Sequence, residues 1–387
     1  MANPAIAQEA AFPWPAGRLD SSPGTRCLEI GQRTVLFCER RQELFELNTT
    51  AAAIWRSLAA GDTPAATVQV LCAQGASADD ARQFVIASAR AWLEAGLLLP
   101  AQVAARARRP PDARMHLRLG RLACALGIHT PAGSPFQEEL HQVFGQFIGE
   151  PGQATLRMDV VGEADQAFLL LDGVSLGLFS ADRLVPEVKA VLTQALSQSM
   201  DEGSFLIHAA MLERRGQGLL ISGQPGAGKT TLALALAARG WGYGSDDIVS
   251  VSPAGQFTGV PFSPAVKSGA WELARDYAPH LDARPDHLRA DGQRVRFLPV
   301  RAPFAAVAAL GWAVILDRRL DAEPVLEPVD PLAVVSALIA GAYSPGHRLR
   351  ADAFENLVDS IAPIPCRRLV YGDLAQAVAL IEGMVGE

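Results

Sequence analysis

The chain has 387 residues, is 49 % hydrophobic and carries a formal net charge of −7. That length accommodates two or three domains with filled cores, and the acidic balance argues against electrostatic capture of nucleic acid or of an acidic membrane. No apolar run approaches the ~20 residues that span a bilayer, and residues 1–10 lack the basic patch and apolar core of a signal peptide. The five cysteines, Cys27, Cys38, Cys72, Cys124 and Cys366, are scattered without a C-x-x-C pair. They read as small hydrophobes in a reduced, cytoplasmic compartment, not as metal ligands.

Residues 1–22 contain several Pro and Ala and no periodic face, which predicts a flexible tail. Two alternating runs follow, at 34–38 and 44–47, separated by the charged 39–43, and they predict a β-hairpin. Three short helices come next. The first begins near Asn48 or Thr49, carries Ile54, Trp55 and Leu58, and stops at Gly61. The second opens with Thr63-Pro64, a cap followed by a proline at the first helical position. The third opens at Ser77 and presents Val85, Ala89, Trp92 and Leu93 on one face, with Phe84 at its edge. A hairpin plus three helices over 23–100 predicts a small winged-helix domain. Residues 101–112 are basic and Pro-terminated and read as a linker. Region 113–200 contains predicted strands at 154–161 and 167–171, a helix at 186–197, and no catalytic pattern.

The strongest signal lies at 218–231, G-L-L-I-S-G-Q-P-G-A-G-K-T-T. An apolar run leads into G-x-x-x-x-G-K-[ST] and then into the Leu/Ala-rich 232–236, which is strand, glycine loop and helix in the context that gives this motif meaning. Gly223, Gly226, Ala227 and Gly228 let backbone N–H groups converge on an anion at the positive end of the new helix. Lys229 reaches terminal phosphates, the Thr230 hydroxyl can ligate Mg²⁺, and Thr231 continues the cradle. This predicts an ATP and Mg²⁺ site in an α/β domain over 201–387. Two further signals flank it. His208 lies just before the loop strand, and Asp246-Asp247 fall where the next strand should end. Next to a Mg²⁺-triphosphate, one of these two acids could hold the metal while the other accepts a proton from an attacking hydroxyl. Alone, such a His reads as a core residue and such an acid pair as a turn or cap. Lys267, Arg294 and Arg296 are candidates for extra phosphate contacts, weighed against solvated surface charges.

His208, the 223–230 loop and Asp246-Asp247, in that order and with L-A-L-A-L-A-A-R-G between loop and acids, resemble the HPr serine kinase/phosphorylase superfamily. The resemblance covers about 200–252 and extends weakly to 368–374, R-L-V-Y-G-D-L. It implies a phosphate-loop kinase of the carboxykinase type, with His208 assisting the acid pair, and it allows for a homo-oligomer. The Glu-Arg-Gly segment tied to the family's phosphorylase reaction is missing. In its place stands G-V-P-F-S-P-A-V-K at 259–267, which puts HPr itself in doubt as the substrate.

Residues 26–100 resemble the PqqD-like family, or RiPP recognition elements, through L-N-T-T-A-A-A-I-W at 47–55 and W-L-E-A-G-L-L at 92–98. That resemblance implies binding of a precursor-peptide leader as an added β-strand. Residues 34–38 are the expected edge and 84–92 the facing helix. With seven Arg, no Lys and eight acidic residues over 26–100, the footprint of a DNA-binding winged helix is missing. The two resemblances together imply a serine, less readily threonine, kinase acting on a ribosomally made peptide, similar to the HPr-kinase-like enzymes that modify lasso peptides, with Asp246 as the proton acceptor and Asp247 beside Thr230 at the metal. A regulatory kinase of an HPr-like protein, an ATP-responsive recruiting module without chemistry, and nucleotidyl transfer stay open.

Overall fold

The structure, a computed structural model, describes residues 17–131, 134–163, 165–300, 304, 309–343 and 349–386. The chain divides into two compact units: one of Met1–Met115, Cys124–Gln137 and Ala154–Leu184, the other of His116–Ala123, Glu138–Gln153 and Val185–Glu387.

In the first unit the three helices form where their caps predict. Asn48 caps Thr49–Ala59, Thr63 caps Pro64–Ala73 and Ser77 caps Ala78–Glu94, each by accepting a hydrogen bond from a first-turn N–H. Val85, Ala89, Trp92 and Leu93 are buried while Phe84 is exposed. Trp92 meets Trp55 edge-on at 5.1 Å between ring centroids.

The hairpin is one strand larger than its sequence suggests. Thr25–Ile30, Arg33–Cys38 and Glu43–Leu47 make an antiparallel three-stranded sheet in which Arg33–Cys38 is central. The first strand escapes the alternation rule because five of its six residues are exposed, so it has no buried face to pattern. Residues 34–38 are paired on both sides and offer no free edge, which corrects the expectation for them. The free edges of that sheet are Thr25–Ile30 and Glu43–Leu47.

The expected tail and linker also differ. Residues 1–16 of the tail lie outside the described residues, but Leu19–Ser21 is a strand paired with Leu98–Pro100, and Leu19 is buried. Within the expected linker, Ala101–Ala107 is a helix whose Val103 and Ala107, spaced i and i+4, are buried on one face. Val161, Phe168, Leu170 and Leu178 join the core of the three helices, so much of region 113–200 groups with the N-terminal residues instead of the phosphate-loop region. Close packing fixes this join. At Gly177, with φ +141°, an added Cβ would lie 2.4 Å from the Glu94 carbonyl oxygen.

The second unit is three-layered. Its main sheet runs Gly242–Ser245, Ala210–Arg214, Gln217–Gly223, Ala309–Arg318, Cys366–Tyr371, Val325–Pro328, and the middle pairs 217–223 with 309–318 and 309–318 with 366–371 are parallel. Leu219 and Ile221 pack with the helices Lys229–Ala238 and Leu374–Gly386 on one face. Leu220 and Ala313 pack with Pro331–Ala340 and Ala351–Ile361 on the other. Parallel strands covered on both faces leave their carboxyl ends as the place for a ligand. No helix among the described residues is long and apolar enough to cross a membrane.

Gly177→Ala should destabilise the first unit by about 2–3 kcal/mol, because the new methyl meets backbone in a conformation that L-residues rarely adopt. Urea unfolding followed by amide hydrogen exchange in the helix Ala78–Glu94 would show it as a lower midpoint for that unit.

Candidate functional site

The glycine loop leaves the sheet at Gly223 and enters the helix Lys229–Ala238 through Gly228, which sits at φ +95°. A side chain at 228 would also strike the Tyr371 hydroxyl, 2.3 Å from its Cβ. That hydroxyl donates to the Ala227 carbonyl at 2.7 Å, and Tyr371 is buried, with its phenol pushed up to about 12 by burial. Tyr371 ends a strand two places across the sheet and pins the loop from there. The Lys229 ammonium donates back to the Gly223 carbonyl at 2.7 Å, and burial lowers its pKa.

Asp246 and Asp247 follow the strand Gly242–Ser245 and precede Ile248–Val251. The Ser245 hydroxyl oxygen accepts from the backbone N–H groups of Asp247 and Ile248, at 3.1 and 2.9 Å, and fixes this turn. Antiparallel pairing of Phe205–His208 with Ile248–Val251 sets His208 opposite Ile248. The register therefore brings His208 to Asp247, with 2.9 Å between Nδ1 and Oδ1. The other oxygen, Oδ2, accepts from Lys189 Nζ at 2.8 Å.

The two carboxyls are driven apart electrostatically. Burial, reinforced by Asp247 and opposed by Lys189, holds Asp246 above the usual carboxylate range. Burial acts in the same direction on Asp247, but there the Lys189 ammonium and the His208 hydrogen bond prevail and hold it well below that range. Asp246 accepts from Tyr243, whose Oη lies 2.9 Å from Oδ1, and the nearby Thr230 side chain also favours its charged form. Burial opposes the charge on Lys189, yet Asp247 and Asp246 keep its pKa above the ordinary value.

These groups surround a cavity of about 350 Å³ lined by His208, Gly226, Gly228, Lys229, Thr230, Thr231, Asp246, Asp247 and Lys267. Arg289 and Arg318 line it as well. The residues fit a Mg²⁺-triphosphate: a glycine loop with a lysine is there for the phosphates, and a Thr hydroxyl beside a carboxylate is there for the metal. Arg294 and Arg296, expected as phosphate contacts, are not brought to it. Arg296 pairs with Asp286 and Asp282, both at 2.8 Å, and lies 3.9 Å above the Trp271 ring. Arg294 faces Asp286 at 3.8 Å. Both are drawn away by acids on the 281–286 turn.

Five participants escape the motif reading: Lys189, Tyr243, Arg289, Arg318 and Tyr371. Lys189 sits in a stretch with no catalytic spacing, but composition does carry a signal. Of 34 basic residues only three are lysines, Lys189, Lys229 and Lys267, and all three are at this site.

Residues 33–98 match the family model for coenzyme PQQ synthesis protein D. Residues 33–98 are a PqqD domain. It contains the two later strands of the three-stranded sheet and all three capped helices. Among solved structures, a lasso peptide synthetase B1 complexed with the leader peptide is 28 % identical, covering 22 % of this chain and 100 % of that one, with a TM-score of 0.21. TbiB1 in complex with the TbiA(beta) leader peptide is 22 % identical, covering 20 % of this chain and 93 % of that one, with a TM-score of 0.20. The Hpr(Ser) kinase/phosphatase from Coxiella burnetii is 18 % identical, covering 46 % of this chain and 93 % of that one, with a TM-score of 0.23. No curated protein matches the chain.

Two outcomes follow from the site geometry. Tyr371→Phe removes one buried hydrogen bond to the loop and should lower the stability of the second unit by about 1 kcal/mol, read as a lower urea midpoint. Lys189→Met removes the ammonium that keeps Asp247 ionised. A carboxyl with a depressed folded pKa contributes stability that is full above its unfolded value, near pH 4, and is lost as the pH falls through the folded value. The variant should therefore be less stable than the parent chain at neutral pH, and the gap in thermal midpoint should narrow as the pH falls below about 4, because only the parent still has this contribution to lose there.

Proposed function

We propose that this chain is an ATP-dependent kinase that phosphorylates a serine, or secondarily a threonine, of a ribosomally made precursor peptide whose leader is held by the PqqD domain. The observation that carries the reading is the convergence of Lys229, Thr230, Asp246, Asp247 and His208 on one cavity in a chain that also carries a PqqD domain. Tethering by the leader raises the local concentration of a weakly bound acceptor, so the phosphate site itself need read little sequence.

When bound, Mg²⁺-ATP supplies the transferable phosphoryl group and neutralises its charge. Lys229 and the loop N–H groups orient the phosphates. Thr230 and Asp246 line the same cavity wall and Thr230 favours the charged form of Asp246, which supports those two residues, and not Asp247, as the metal pair. Asp247 has both oxygens engaged by His208 and Lys189. Its part is to fix the His208 ring, whose Nδ1 faces it and whose Nε2 then points its lone pair away as the acceptor of the hydroxyl proton. In this reading Asp246 takes the metal role expected of Asp247, and the proton goes to His208 instead of Asp246. Lys267 adds positive charge at the cavity wall.

For the leader, Glu43–Leu47 is the favoured edge. It carries Leu44, which is 64 % exposed, and the helix Ala78–Glu94 keeps Phe84 exposed at 48 %. Backbone pairing supplies affinity there and these apolar side chains supply choice. The remainder of 84–92 is less available, since Val85, Ala89 and Trp92 are in the core.

The test is the mass of the candidate precursor peptide, encoded beside this gene, after incubation with the full chain and Mg²⁺-ATP. A gain of one phosphate, about 80 Da, is expected, lost with Asp246→Asn and slowed when the leader is removed from the peptide. An unchanged mass with ATP bound would turn the reading to a recruiting module.

A further inference from the structure

A second cavity, of about 540 Å³, opens beside the phosphate cavity and shares Asp247, Ala265, Arg289 and Asp291 with it. One wall is a stripe of the helix Ala181–Gln198. Pro186, Ala190 and Thr193 with Gln194 recur at one-turn spacing and face the cavity, while Val188, Leu192 and Leu196 on the other side of the helix are buried. Ile248 and Phe297 line it as well.

We infer that this cavity is the acceptor groove: it takes a short peptide segment whose residues beside the reactive hydroxyl are uncharged and apolar. The inference rests on the kinase reading above. Continuity is the first support, because the rim common to both cavities is the one that holds Asp247, with His208 on its phosphate side. A segment lying along the helix stripe therefore ends its path where the proton acceptor is. The lining chemistry is the second. Pro186, Ala190, Ile248, Ala265 and Phe297 offer apolar contact, and the volume is that of a ligand cleft. Charge is the third. The two cations that line the cavity are already paired, Lys189 with Asp247 at 2.8 Å and Arg289 with Asp291 at 3.2 Å. An acidic segment would meet Asp247 and Asp291 without a cation left to balance it.

The experiment uses the full chain, Mg²⁺-ATP and the leader of the candidate precursor fused to short segments. Each segment holds one serine flanked by alanine and leucine, or by glutamate. The apolar-flanked set should be phosphorylated with at least tenfold higher kcat/KM than the glutamate-flanked set. Ala190 is exposed on its helix, so Ala190→Trp fills the groove without entering the core. It should raise the peptide KM at least tenfold more than it raises the ATP KM. Equal peptide KM in the parent chain and Ala190→Trp, or a preference for glutamate flanks, would overturn the groove while leaving the kinase reading in place. Transfer to none of the fusions and none to the intact precursor, by a chain that binds ATP, would remove the kinase reading and the groove with it.

Discussion

Two adjacent carboxyls at a strand end, one buried and the other half-buried, set the terms for the whole second unit. Asp246 and Asp247 repel one another and lose their hydration, and neither cost is tolerable without partners close by. The partners come from four separated parts of the chain: Lys189 from a helix, His208 from an edge strand, Thr230 from the phosphate loop and Tyr243 from the strand just before the pair. Each must be carried to its acid, so the register of Phe205–His208 against Ile248–Val251 and the placement of the helix Ala181–Gln198 are constrained together. A one-residue slip in that register would turn His208 to the opposite face and leave Asp247 with a single partner. The arrangement also separates the two titrations. One acid is held ionised and the other is held higher, which is how neighbouring carboxyls acquire different tasks.

The phosphate loop is held with comparable redundancy. Its conformation needs glycine at 228 for two reasons, the positive φ and the Tyr371 hydroxyl that occupies the space of a side chain. Tyr371 reaches the loop from the far side of an intervening parallel strand, so the sheet's own rigidity is transmitted to the cradle. The loop's shape is thereby largely set before a ligand arrives, which favours binding by reducing the ordering it must impose.

Local signals in the sequence were reliable where physics is local. Caps at Asn48, Thr63 and Ser77 located three helices, and the glycine spacing located the loop and the helix after it. Legibility failed where partners are distant. Lys189 looks like any lysine on an amphipathic helix until the sheet brings Asp247 to it, and Tyr371 looks like a strand-end aromatic. Arg294 and Arg296 were legible as charges near the right strand, but the acids at 282 and 286 that claim them were not legible as neighbours. The edge strand Thr25–Ile30 was missed because exposed residues on both faces erase the two-residue period, and its presence converts 34–38 from an edge to a centre. The helix Ala101–Ala107 is hidden by Arg106 and by the arginines and prolines that follow it.

The near-exclusive use of arginine elsewhere has a practical corollary. Side-chain amines occur at three positions in the sequence, and Lys189, Lys229 and Lys267 all belong to the phosphate cavity or to the acid pair at its wall. Acylating reagents, reductive methylation or a lysine-specific protease therefore address this one region and leave the 31 guanidinium groups untouched. Protection of those three amines becomes a direct footprint of whatever occupies the site, legible by mass alone and independent of any knowledge of the acceptor.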